Sequence, residues 1–79
     1  MGGQVFSAGH SDARVVVHRA VLDASGRPCR RVEILGLEVG WAYSADDVKM
    51  IMARCEMDPA DIDRPGVVEW RGDGPYLWG

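Results

Sequence analysis

The chain is expected to fold as an α+β domain, a small antiparallel sheet carrying one main helix. Three observations predict it. Two runs rich in β-branched residues, 14–22 and 29–35, flank a cluster of turn formers. One amphipathic segment, 45–55, has a capping residue before it and a proline after it. Two further extended runs surround the glycine-rich turn at 71–74. The element order is then β-β-(β)-α-β-(β), a β-hairpin, a helix and a C-terminal β-hairpin in one layer pair.

The first strand is Arg14-Val15-Val16-Val17-His18-Arg19-Ala20-Val21-Leu22, and the second is Cys29-Arg30-Arg31-Val32-Glu33-Ile34-Leu35. The stretch between them, Asp23-Ala24-Ser25-Gly26-Arg27-Pro28, is dense in turn residues, with Ser25-Gly26 near the tip. A two-residue turn there sets Val17 opposite Ile34, His18 opposite Glu33 and Arg19 opposite Val32. The face carrying Val15, Val17, Val21, Val32 and Ile34 is the more apolar and is assigned to the core. Gly36 to Gly40 reads as a turn or irregular link. Trp41-Ala42-Tyr43 reads as a short third strand, and the shared parity of Leu37, Val39, Trp41 and Tyr43 favours extended backbone.

For the helix, Ser44 is the expected N-cap, with Asp47 three residues on in a near capping box, and Asp46 and Asp47 in the first turn where the helix dipole favours negative charge. Val48, Ile51, Met52 and Cys55 fall at i, i+3, i+4 and i+7 and make the buried stripe. Asp58 before Pro59 signals a second, very short helix. Val67 to Trp70 is a strand. Arg71-Gly72-Asp73-Gly74 is a turn, and Pro75 to Trp78 returns as an edge strand, because proline has no donor for an interior ladder. Residues 1–13 show no apolar period and read as a flexible N-terminal arm, leaving 14–79 as a single α+β domain.

Composition narrows the class. With 79 residues, 47% apolar and two cysteines, the chain is too apolar for a disordered tail and too cysteine-poor for a disulfide scaffold. No stretch reaches the roughly 20 apolar residues of a membrane helix, and the first residues lack the basic and apolar regions of a signal peptide. A cytoplasmic protein with no membrane partner is expected. A core this small supplies about 3–5 kcal/mol, so two forms stay open: a monomer whose aromatics complete the core, or a dimer that completes it with a second chain.

Val32-Glu33-Ile34-Leu35-Gly36-Leu37-Glu38-Val39-Gly40-Trp41-Ala42-Tyr43-Ser44-Ala45-Asp46-Asp47, together with the close Val68-Glu69-Trp70-Arg71-Gly72-Asp73-Gly74-Pro75, resembles small uncharacterised proteins of GC-rich actinobacteria. The resemblance covers about residues 30–78 and implies a source and an order of elements; it brings no mechanism.

The chemistry-bearing residues point away from catalysis. His10, His18, Cys29 and Cys55 are metal-ligand types, but none form the close pairs of a zinc site. No metal and no other cofactor is expected. Cys29 beside Arg30, with His18 on the neighbouring strand, is the one nucleophile–base pairing the hairpin permits. A satisfied surface or half-buried cysteine is the plainer reading, since no oxyanion or nucleophile-elbow motif accompanies it. Asp58, Asp61 and Asp63 lack calcium-loop spacing and read as solvated. No catalytic residue is assigned and the chain is not expected to be an enzyme.

Charge is segregated. Residues 1–31 hold five arginines against two aspartates, net +3, and residues 32–79 hold four basic residues against ten acids, net −6, giving the overall −3. The expected function is therefore a small binding module, a protein–protein interaction or accessory regulatory protein, with a homodimer through an edge strand as one form of partner. The candidate partner-binding residues are Arg19, Arg27, Arg30 and Arg31 on the hairpin, and Tyr76 and Trp78 on the last strand, since Arg, Tyr and Trp are enriched at interface hot spots. For Trp78 the plainer reading is a lid on the core. The alternative is a nucleic-acid-binding accessory protein using the same Arg-rich hairpin.

Overall fold

The valine run forms two short strands instead of one. In the computed structural model, which describes residues 13–72 with Gly74 and Trp78, β1 is Val15–Val17 and β2 is Val21–Leu22. Both pair antiparallel with β3, Pro28–Ile34. His18, Arg19 and Ala20 lie between them outside any strand. The pairing is Val15 with Ile34 and Val17 with Val32 along β1, but Val21 with Cys29 along β2. One extra residue at the break accounts for the offset, as in a β-bulge.

The hairpin tip adds a second offset. Asp23 N–H donates to the Arg27 carbonyl at 2.8 Å and Gly26 N–H to the Asp23 carbonyl at 2.9 Å, closing a three-residue loop with Gly26 at φ +86°. That is a turn followed by a left-handed residue, which glycine adopts without strain. The expected two-residue turn, and with it the pairing of Val17 with Ile34, is thus corrected. Two one-residue steps restore the original parity, so Val15, Val17, Val32 and Ile34 all face the core as expected. Val21 lies past only one of the steps, and it is exposed on the other face.

β3 then turns straight into β4, Leu37–Ala42, through Leu35 and Gly36 at φ +53° and +83°. Two positive φ angles are the signature of a type I′ turn. The region expected to be an irregular link is therefore paired strand, with a register shift between Val32 and Glu33 that leaves Val39 as the extra residue. β5, Val68–Trp70, lies parallel to β1, Val15 beside Val68. The α+β class holds, with a mixed sheet in place of the antiparallel one. The return strand expected over Pro75–Trp78, and residues 1–12 of the expected arm, lie outside the described residues apart from Trp78.

Helix α1, Ala45–Arg54, starts as the sequence predicts: Ser44 Oγ accepts from Asp47 N–H at 3.2 Å, and the Asp47 carboxylate accepts from Tyr43 N–H at 2.9 Å. It ends in a Schellman arrangement, Glu56 N–H to Ala53 and Met57 N–H to Met52, with Glu56 at φ +62° where glycine is usual. Cys55 is the C-cap and is exposed, a correction to the four-residue stripe; Val48, Ile51 and Met52 are the buried members. A short 3-10 helix, Pro59–Asp63, follows, with the Asp58 carboxylate accepting from Ala60 N–H at 2.9 Å. α1 packs on the sheet face of Val15, Val17, Val32, Ile34, Ala42 and Val68, and Ile62 closes the end of this core. A Cβ on Gly40 would meet Ile51 Cδ1 at 3.4 Å, so the glycine lets the helix seat closely on β4.

Candidate functional site

The four hairpin arginines do not share a surface. Arg30 is fully buried, 0% exposed, and this corrects its expected place at a partner surface. Its Nε donates to the His18 carbonyl at 2.7 Å, Nη1 to Gly74 at 2.8 Å and Nη2 to Arg71 at 3.0 Å. The guanidinium carbon lies 5.4 Å from the Trp70 ring centre and 5.2 Å from that of Trp78, and the two rings meet edge to face at 6.4 Å. The break after β1 sets up this arrangement: His18 leaves the β2 register, and its carbonyl turns to Arg30 instead of the ladder. A planar guanidinium with five donors holds three separate carbonyls, which a lysine ammonium on its flexible stem would not. The clasp ties Arg71 and Gly74 to the hairpin. Gly72, at φ +82°, lies so close to Arg19 that a Cβ there would sit 2.7 Å from the Arg19 Cβ.

Arg31, one residue on, points to the opposite face of the sheet. Its Nη2 approaches the two ring nitrogens of His18 at 3.5 and 3.4 Å, and its Nε finds no acceptor among the described residues. His18 Nε2 in turn meets Glu33 Oε1 at 3.2 Å, so the expected His18–Glu33 neighbourhood survives the change of register. Arg27 is exposed and lies 4.3 Å over the Tyr43 ring. Arg19 is exposed. Trp78 is half-buried against the core, and Tyr76 lies outside the described residues.

The Tyr43 end of β4 is tied to the hairpin tip. Tyr43 O–H donates to Asp23 Oδ2 at 2.6 Å, while Asp23 Oδ1 accepts from Ser25 N–H, Ser25 O–H and Arg27 N–H at 2.8, 2.7 and 2.9 Å. The Tyr43 hydroxyl, then the Ser25 hydroxyl, hold the Asp23 carboxyl well below the usual carboxylate range. The same bond raises Tyr43, because ionising the phenol would remove the donor and set two negative charges together.

Next to this tie lies the exposed tryptophan. Trp41, 47% exposed, lines two open concavities. One, of about 280 Å³, is formed with Val21, Leu22, Asp23, Cys29 and Tyr43. The other, of about 210 Å³, is formed with Asp47, Met50, Ile51 and Arg54. Leu22 and Met50, at 69% and 51% exposed, continue the apolar surface on either side of the ring. Cys29 is buried at the first concavity, whose lining does not include His18. Among the described residues no three His, Cys, Asp or Glu side chains are grouped to hold a metal ion, and no helix is long and apolar enough to cross a membrane.

Sequence reasoning assigned no role to Trp41. The signal for Arg30 was present: it shares parity with Val32 and Ile34 on the face assigned to the core. No family model matches the chain, and no curated protein and no solved structure matches it.

Proposed function

We propose that this chain is a small protein-binding domain that acts through the Trp41 surface. One observation carries the reading: a large aromatic stands half in solvent on a strand edge, between two concavities, with apolar neighbours on both sides. Tryptophan is the residue type most enriched at interface hot spots, and contiguous exposed apolar surface marks interaction sites. Arg27, Tyr43 and Arg54 supply a polar rim of the kind that surrounds such anchors. Of the hairpin arginines, Arg27 stands over Tyr43 and Arg31 lies opposite Trp41 in the ladder while facing His18, Arg19 is exposed beside Gly72, and Arg30 is buried. That dispersal also weighs against the nucleic-acid reading, which calls for a coherent basic footprint.

The test is quantitative co-purification from the native cells with the tagged chain, its Trp41→Arg variant and its Arg19→Glu variant. At least one partner is expected to fall about tenfold or more with Trp41→Arg and to persist with Arg19→Glu. The reverse pattern contradicts the proposal and returns attention to the hairpin.

A further inference from the structure

We infer that His18, Arg31 and Glu33 form a pH-sensitive latch on the sheet face opposite α1, released when His18 is protonated. The inference concerns the free chain and does not depend on the reading of Trp41. Glu33, Val16 and Glu69 lie side by side across β3, β1 and β5. The ion pair of His18 with Glu33, and the parity Arg31 shares with Glu33, set the group on this face. The core and α1 lie on the other. The His18 and Glu33 side chains are 18% and 29% exposed, so the group is half-buried yet within reach of solvent protons.

The partners assign the tautomer. The Glu33 carboxylate, which only accepts, lies 3.2 Å from His18 Nε2, so that nitrogen carries the proton of the neutral ring. Nδ1 is then the lone-pair nitrogen, and Arg31 Nη2, which only donates, stands 3.5 Å from it. A second proton binds at Nδ1, because the ring offers no other place. It sets N–H against N–H and cation against cation across that same gap, turning an attraction into a repulsion. Glu33 keeps its bond through the step, since Nε2 stays protonated.

Arg31 is the member that moves. His18 is anchored by its main chain: its N–H donates to the Arg31 carbonyl at 2.9 Å, and its carbonyl accepts from the buried Arg30 at 2.7 Å. Glu33 sits within the sheet, paired with β1 and β4. The Arg31 guanidinium has no such anchor. Among the described residues its hydrogen bonds run to the His18 ring alone, and its Nε is buried without an acceptor. A buried donor left unpaired costs free energy, so the closed pose already competes with one in which water reaches Nε. The other charged groups around the latch are Glu69 and Arg71 of β5, engaged with each other at 2.6 Å, Glu38 of β4 opposite Glu33, and exposed Arg19. Among these side-chain types, histidine is the one that ordinarily changes charge between about pH 5 and 8. In acid the face gains the His18 charge and frees Arg31, which lies opposite Trp41 in the ladder.

Side-chain NMR of the full chain from about pH 5 to 8 tests the inference, in a His10→Gln background that leaves His18 as the one histidine. The ring is expected to be the Nε2–H tautomer at the alkaline end and to take one proton at the acid end. Solvent exchange of the Arg31 Nε–H, assigned by its loss in Arg31→Lys and referred to the intrinsic rate at each pH, is expected to quicken about tenfold across that step. The fluorine signal of 5-fluorotryptophan at Trp41 is expected to shift with the same midpoint. In His18→Gln both responses vanish; in Arg31→Met the ring still titrates and Trp41 no longer follows. Should His18→Gln fail to fold, coincidence of the three midpoints in the parent background decides. Arg31 exchange that stays level while His18 titrates overturns the inference. So does a ring that takes no proton in the range, an Nδ1–H tautomer at the alkaline end, a Trp41 shift undiminished in Arg31→Met, or responses that persist in His18→Gln. No partner enters this measurement, so its failure leaves the reading of Trp41 standing.

Discussion

Two tryptophan regions of this small domain differ in what lies under the ring. Trp70 and Trp78 close on Arg30, whose donors reach carbonyls of His18, Arg71 and Gly74. Trp41 stands on a strand edge with one face toward solvent and open concavities on both sides. The first pair is fixed by a buried charge whose donors reach backbone carbonyls from three places, so its geometry is dictated by the fold. Among the described residues nothing of that kind ties down Trp41, the indole that the proposed function assigns to a partner. The difference teaches that residue type does not separate held from exposed aromatics; here the buried guanidinium beneath the ring does.

The largest expected effect breaks the buried side of this comparison. Arg30→Met leaves three carbonyls without this donor, and each that stays buried costs about 1–3 kcal/mol; with Gly74 exposed to water, a loss of about 2 kcal/mol or more is expected. In thermal unfolding followed by tryptophan fluorescence that is a fall of roughly 8 °C or more. Arg30→Lys recovers only part of it, since one ammonium does not span the three acceptors. Trp41→Arg, in contrast, is expected to change stability by no more than about 0.5 kcal/mol, as an exposed substitution does. Equal losses in the two variants would erase the distinction.

A second expectation concerns pH. Asp23 is more acidic folded than unfolded, so its contribution is complete above about pH 4 and is lost as the pH falls below it. Tyr43 is raised in the fold, so its contribution is complete below about pH 10 and is lost above it. Urea midpoints measured across the range are expected to drop at both extremes. Tyr43→Phe removes the alkaline drop and shrinks the acid one; an unchanged profile would show that the tie between hairpin and β4 contributes nothing.

The smallest effect is a gain. Glu56 occupies the left-handed position after α1 at φ +62°, a conformation that costs a residue with a side chain about 1 kcal/mol. Glu56→Gly is expected to raise the unfolding free energy by about that amount, read as a higher urea midpoint at unchanged slope, while leaving Trp41 and Arg30 undisturbed. A lower midpoint would mean that the Glu56 side chain holds a contact of its own.

What the sequence made legible, and what it hid, follow from how local each determinant is. The valine core face, the Ser44 cap, the helix stripe through Met52 and the Asp58-Pro59 helix start all depend on neighbours within a few residues, and all appear. The hairpin register was missed because Gly26 is placed by a three-residue loop and the break at His18–Ala20 inserts a further residue, neither of which alters local composition. The first half of β4, Leu37–Gly40, reads as a turn or link and only Trp41–Tyr43 as strand, because a leucine, Leu35, takes the first left-handed position of its turn, where Asn or Asp would announce a hairpin. The parallel seat of β5 beside β1 joins positions more than fifty residues apart and has no local signal. At the candidate site the arginines read alike in sequence; parity alone separates Arg30, aligned with Val32, from Arg31. The exposure of Trp41 depends on β4 being an edge, which is a property of the assembled sheet.

The central claim is that Trp41 is presented to a partner while Trp70 and Trp78 are held by the fold, and fluorine NMR of the 5-fluorotryptophan-labelled chain tests it most directly. With a soluble paramagnetic chelate added, the account predicts that the Trp41 resonance, assigned by its loss in Trp41→Phe, broadens well before those of Trp70 and Trp78. Equal broadening of all three, or a Trp41 resonance more protected than the others, would contradict it.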